Sequence, residues 1–183
     1  MTTTKQPATR FSGPSIAMHW LMVLVFIGIY ATINLVDSFP KGSDPRNWMK
    51  SLHFSLGLLA FGLVWLRILF RVLGDTPAIV PTPPAWQEKL AKLGHLSLYV
   101  LMVGMPLLGW AALSASGKPV AFFGFELPSL LAENKELGHN LKEIHETVGT
   151  LGYFLIGGHT VAALYHHYFM KDSTLRGMSL TQA

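Results

Sequence analysis

The chain has 183 residues, of which 50% are hydrophobic, only 13% charged and none cysteine, with a formal net charge of +4 and a mean hydropathy of +0.38. A soluble domain carries about 25% charged residues, so an ordinary soluble globular protein is excluded. The missing cysteines also exclude disulfide scaffolds, thiolate zinc sites, iron–sulfur clusters and covalently attached c-type haem. No basic stripe with interleaved aromatics accompanies the positive charge, so nucleic acid is not an expected partner and membrane lipid is.

The first apolar run, Ile16 to Val36, has about the length that a bilayer core requires, and His19 is its one side chain that ionises near neutrality. It is too long for a cleaved signal peptide and lacks a small-residue cleavage site before Asp37, Phe39, Pro40 and Lys41. Further runs follow at Trp48–Leu73, Leu93–Leu113 and Ile144–Met170, and Pro106 is expected to kink the third. The connectors FPKGSDPR, GDTPAIVPTPPAW and SASGKPVAFFGFELPSLLAENKELGHN are rich in Pro and Gly and read as loops. No internal repeat or low-complexity segment interrupts this pattern. The expectation is an all-α integral membrane four-helix bundle, one domain over 1–183, with helices at about 15–37, 48–73, 90–114 and 142–170.

Four spans place both termini on one side. Lys5, Arg10, Arg67, Arg71, Lys89, Lys92, Lys171 and Arg176 fall on the terminal side, against Lys41, Arg46, Lys50, Lys118, Lys135 and Lys142 on the other. This bias predicts a multi-pass membrane protein with both termini in the cytoplasm.

Histidine inside a membrane helix is rare and costly, so its default reading is functional. His19, His53 and His95 lie near the entries of the first three helices, and His145 and His159 lie on the fourth. The last two are separated by fourteen residues, which puts them within roughly 40° on one helical face and about 21 Å apart in depth. His53 matches His145 in depth. His159 matches His19 or His95, and spacing does not choose between them.

Two neutral imidazoles from facing helices can supply both axial ligands of a b-type haem, and two such pairs would carry electrons across the bilayer. Arg67 and Arg71 are candidate partners for the propionates, since a guanidinium binds a carboxylate through two hydrogen bonds. A haem-free metal transporter is a competing reading, but it would call for carboxylates, thiolates or close His spacing within one site. Histidines acting only as hydrogen-bonded helix glue would leave the depth matching accidental. A proton relay would require buried carboxylates, and the spans show none.

The motifs SIAMHW, MKSLHFSLG, LVWLRILFR, LGHLSLYVLM with PLLGW, and ETVGTLGYFLIGGHTVAALYHHYF together resemble the bacterial cytochrome b561 family over nearly the whole chain. Within that family the likeness is nearest to di-haem members that oxidise superoxide and reduce ubiquinone. The resemblance implies two haem b groups, one between His19 and His159 on the cytoplasmic side and one between His53 and His145 on the periplasmic side. It makes His95 a non-ligand and places His166 near a quinone pocket, where the adjacent His167 is a second candidate contact, with Tyr165 or Tyr168 nearby. Lys41, Arg46 and Lys50 are candidates for steering an anionic donor. An alternative within the same architecture is a haem-bearing membrane subunit that links the quinone pool to a partner redox protein.

Overall fold

Helix starts are set by Ser, Asn and Pro as much as by apolar residues, and the computed structural model, which describes residues 8–180, shows this at every span. Lys5 lies outside the described residues. The helices are α1 (Gly13–Leu35), α2 (Asp44–Leu73), α3 (Ala85–Ala115) and α4 (Lys135–Tyr165), each long and apolar enough to cross a membrane. The last three begin several residues before their apolar runs. Pro45 occupies the first turn of α2, Pro84 precedes α3, and the Asn134 side chain caps α4 by accepting a hydrogen bond from the Leu137 N–H at 3.0 Å. His139, read from sequence as a loop residue, therefore lies on α4, where it is exposed and paired with Glu143. α3 runs on through Pro106 as a single helix.

α1 packs along α2, and α3 packs along α4, with α2 and α3 joining the two pairs. Met22 and Val25 of α1, Ala60 and Val64 of α2, and Met102 of α3 form the central apolar cluster. α4 approaches α1 and α2 through long side chains: the Tyr30 hydroxyl donates to the Gly149 carbonyl at 3.0 Å, and the Tyr30 and Tyr153 rings lie 4.3 Å apart. A Cβ on Gly152 would collide with the Tyr30 hydroxyl, so glycine is required there.

Both terminal segments meet at one end of the bundle. The Phe11 N–H donates to the Gly177 carbonyl at 3.1 Å, the Trp20 indole to the Met178 carbonyl at 3.0 Å, and the Ser173 N–H to the Val80 carbonyl at 3.0 Å. The opposite end holds a 3-10 turn at Val36–Ser38 and the long α3–α4 connector.

That connector departs from the loop expected of it, because it contains a hairpin of β1 (Val120–Phe122) and β2 (Phe125–Leu127), and the fold is a mostly helical bundle with this one short two-stranded element. Phe123 and Gly124 form its two-residue turn with φ of 46° and 92°, the positive values that a tight hairpin demands. Buried Ser55 on α2 docks the turn: its hydroxyl accepts from the Phe123 N–H at 2.9 Å. Ser55→Ala strands that donor, which costs about 1–2 kcal/mol locally. The expected outcome is faster chymotryptic cleavage at Phe123 and Phe125, with the helical circular dichroism unchanged.

Candidate functional site

α4 supplies one imidazole at each of two levels, and α1, α2 and α3 supply the facing ones. His53 and His145 have ring centroids 6.3 Å apart at the hairpin end. His19 and His159 are separated by the same 6.3 Å at the terminal end. His95 is nearer to His159, at 5.4 Å.

These separations bear on what the pairs can hold. Two imidazole nitrogens on opposite sides of a metal ion, each about 2 Å from it, put the ring centroids roughly 6–6.5 Å apart. Both 6.3 Å pairs meet that condition, whereas 5.4 Å is too close for an ion between His95 and His159. His53 is also tethered in the way a metal-binding histidine needs. Its Nδ1 lies 3.0 Å from the Ile29 carbonyl, so Nδ1 carries the proton and Nε2 keeps its lone pair. His145 Nδ1 is buried without a well-formed hydrogen bond, although the Met105 backbone lies beside it.

Glycines shape the surroundings of the hairpin-end pair. A Cβ on Gly109 of α3 would come within 3.1 Å of the His145 ring. One turn inward from His53 and His145 stand Gly57 and Gly149. A Cβ at Gly57 would meet nothing within 4 Å, and one at Gly149 would meet only Met105 Cε at 3.5 Å. Each position therefore leaves room that a side chain would fill.

At the terminal end, Arg67 is close enough to act electrostatically on His19, His95 and His159. It sits over the Tyr99 ring at 6.0 Å and takes no carboxylate partner among the described residues. An unpaired cation within a membrane helix calls for an anionic ligand group. Arg71 lies over Phe11 at 5.0 Å and donates to Thr76 Oγ1, as expected of a helix-end anchor.

The family model for prokaryotic cytochrome b561 matches residues 10–179. The chain belongs to the prokaryotic cytochrome b561 family. It is 41% identical over 169 residues to cytochrome b561 homolog 1 of Escherichia coli K12, covering 92% of this chain and 96% of the relative. It is 37% identical over 169 residues to the probable superoxide oxidase CybB of Yersinia pestis, with 92% and 95% covered. Cytochrome b561 homolog 2 of Escherichia coli K12 is 31% identical over 177 residues, with 92% and 90% covered. This cytochrome is thus a multi-pass membrane haem protein of electron transport, and the group its family implies is haem b. The paired imidazoles, the glycines beside them and Arg67 fit such a group, and the haem-free transporter reading falls away.

The remaining sequence candidates separate by their surroundings. Lys41 and Lys50 are exposed at the hairpin end. Arg46 is engaged otherwise: it donates to the Val36 and Phe39 carbonyls, each at 2.9 Å, and pairs with Asp37 at 2.8 Å. Its charge closes the end of α1 and is largely matched by Asp37.

His166 and His167 open a π-helical segment, His166–Met170, that ends at left-handed Lys171. His167 Nδ1 is buried and unpartnered. His166 Nδ1 lies 2.5 Å from Asp172 Oδ2, a partner that sequence reasoning missed. The detectable signal was the Asp-Ser-Thr run just past the helix, since Asp often folds back on the backbone two residues on; Asp172 does so, accepting from the Thr174 N–H at 2.9 Å. The Thr174 hydroxyl lies beside the same carboxylate without closing a well-formed bond. Burial pushes the Asp172 carboxyl up, but hydrogen bonds from His166 and Thr174 outweigh it and hold the group below the usual carboxylate value.

Because Gly109 makes room for the His145 ring, Gly109→Val should displace that imidazole. The expected result is a lower haem-to-protein ratio by pyridine haemochromogen absorbance, with helix content preserved.

Proposed function

We propose that this cytochrome is a superoxide:ubiquinone oxidoreductase with two haem b groups, one held by His53 and His145 and the other by His19 and His159. The observation that carries the reading is the common 6.3 Å separation of the two imidazole pairs at opposite ends of one bundle. The relative named as a probable superoxide oxidase supports the choice of donor. In this reading residues 1–183 form one domain, both termini face the cytoplasm, and the chain sits in the bacterial inner membrane.

When bound, haem b supplies the one-electron redox chemistry that none of these side chains provides. The chain does the rest. His53 is locked by Ile29 in the tautomer that presents Nε2, and Gly109 holds space for the His145 ring. Arg67 offers its unpaired guanidinium to a propionate, while Arg71 marks the membrane edge. Lys41 and Lys50 raise the local concentration of superoxide at the hairpin end, with Arg46 contributing little beyond its tie to Asp37. Superoxide loses one electron and leaves as dioxygen. At the terminal end His166 and His167 bind ubiquinone, which takes up two electrons and two protons for every two superoxide anions consumed.

A second reading, a membrane subunit that serves a partner redox protein, draws on the exposed charged side chains of the α3–α4 connector and the start of α4, among them Glu126 and Glu136, which a partner of complementary charge could meet. Stopped-flow mixing of the purified cytochrome with superoxide, with and without ubiquinone, separates the two. Rapid reduction followed by reoxidation only when quinone is present is expected; a protein inert to superoxide would favour the second reading.

Haem counting checks the ligands. His53→Ala and His145→Ala should each lose one of two haem equivalents, His19→Ala and His159→Ala should each lose the other, and His95→Ala should keep both. Replacing Lys41 and Lys50 with Gln should slow the superoxide step about 10-fold at low salt and flatten its dependence on ionic strength.

A further inference from the structure

The Asp172 carboxylate is 1% exposed, and among the described residues His166 is its only ion-pair partner. Lys171 and Arg176 are neighbours in sequence, yet Arg176 donates to the Lys171 carbonyl at 3.2 Å instead of to Asp172. Backbone geometry builds the contact. The left-handed turn at Lys171 closes the π-helical segment, and the Asp172 N–H then donates to the His166 carbonyl at 3.2 Å. Asp172 thus holds the same residue twice, by its backbone and by its carboxylate. A cap that served only to end the helix could be an exposed Ser, Asn or Asp. Burying a carboxylate costs several kcal/mol unless a partner compensates it, so the burial itself requires a reason.

The reason lies in what the ring can do while held. A carboxylate accepting from Nδ1–H fixes the orientation of the ring and leaves Nε2, the atom that can hand over a proton, directed away from the acid. Next to it, His167 Nδ1 is buried and without a hydrogen-bond partner among the described residues, and Tyr168 and Phe169 present an exposed aromatic surface. We propose that Asp172 is a positioning residue for quinone reduction, fixing His166 through Nδ1 so that Nε2–H donates to the quinone oxygen. This rests on the assignment of His166 to a quinone site.

The balance is simple. A quinone takes two electrons, drawn from two superoxide anions, and two protons. One proton leaves His166 Nε2 for the quinone oxygen it faces, the ring stays bonded to Asp172 through Nδ1–H and Nε2 is then reprotonated from solvent; the opposite quinone oxygen takes its proton from solvent.

The test uses the intact, haem-loaded full chain as wild type, Asp172→Asn, His166→Gln and the double variant. Each is reduced with superoxide, and its reoxidation by a short-chain ubiquinone is followed over a range of quinone concentrations. Asp172→Asn is expected to keep its haem spectrum and its rate of reduction by superoxide. Its maximal reoxidation rate should fall at least about 10-fold while half-saturation moves by less than about 3-fold, the split expected when a proton-transfer geometry is lost and binding is kept. In the His166→Gln background the same change should add nothing, because the two act as one unit.

A wild-type rate in Asp172→Asn, or losses that add in the double variant, would overturn the proposal while leaving the quinone reading standing. Wild-type protein that ubiquinone does not reoxidise would overturn both. Nitrogen-15 histidine resonances of the wild-type protein, with His166 assigned by difference against His166→Gln, provide a check that needs no Asp172 variant. A strongly downfield Nδ1–H is expected, and a ring protonated at Nε2 alone would refute the assignment.

Discussion

An imidazole buried among membrane helices must find a partner for its ring nitrogens, and this requirement organises the whole bundle. An unsatisfied polar group costs on the order of 1–3 kcal/mol, and four rings at two levels would multiply that cost if they met only one another. Ligation to metal removes the problem, provided that the rings are held a fixed distance apart. Both pairs stand at 6.3 Å. Since α4 carries one ring of each pair, a slip of one residue would rotate both by about 100°. Its register therefore has to be fixed at its two ends. At one end the Asn134 cap and the close approach of Gly138 to Ser116 seat it against α3; at the other the π-helical turn and Asp172 tie it to the terminal segment.

The sequence showed the depth of each histidine, because rise per residue is fixed in a helix, and it showed which rings share a face of one helix. It could not show which helices are neighbours. His19 and His95 have matching depths, so spacing left the partner of His159 open; the structure separates them by distance, 6.3 against 5.4 Å. Hydropathy places helix starts late because it detects lipid, whereas Ser43, Pro84 and Asn134 begin helices in the polar zone outside it. The hairpin escaped notice because three-residue strands carry almost no period, and its docking depends on Ser55, far away in sequence. Arg46 shows the opposite limit. Its charge was legible, while its engagement with Asp37 and two carbonyls depends on how the chain turns after α1.

The two ends of the bundle differ in how their charges are used. At the hairpin end ion pairs sit in water, as Lys142 with Glu146 and His139 with Glu143 do, and such pairs contribute little to stability. Lys41 and Lys50 can act at a distance there because solvent-exposed cations steer ligands without being committed to one contact. At the terminal end the charges lie deeper. Arg67 lies among three imidazoles, and Asp172 is sealed beneath the helix end with His166. Buried charges of this kind are specific about their partners, which suits the propionate and quinone contacts proposed for this end.

The spacing between α1 and α4 is set by a side chain and not by backbone contact. Membrane helices that meet through small residues draw together until their backbones touch, and such contact would crush the distance that the imidazoles need. Here the glycine at position 152 receives a large side chain from the facing helix: Tyr30 fills the groove, donates to the Gly149 carbonyl and packs on Tyr153, which in turn meets Asn34. By residue number this crossbar lies between the His145 and His159 levels on α4. An aromatic spacer bonded to backbone resists both approach and sliding, so the separation of the rings at each level follows from a contact between them. In this bundle a glycine opposite tyrosine keeps helices apart, and the proposed ligation by the two imidazole pairs would depend on that separation.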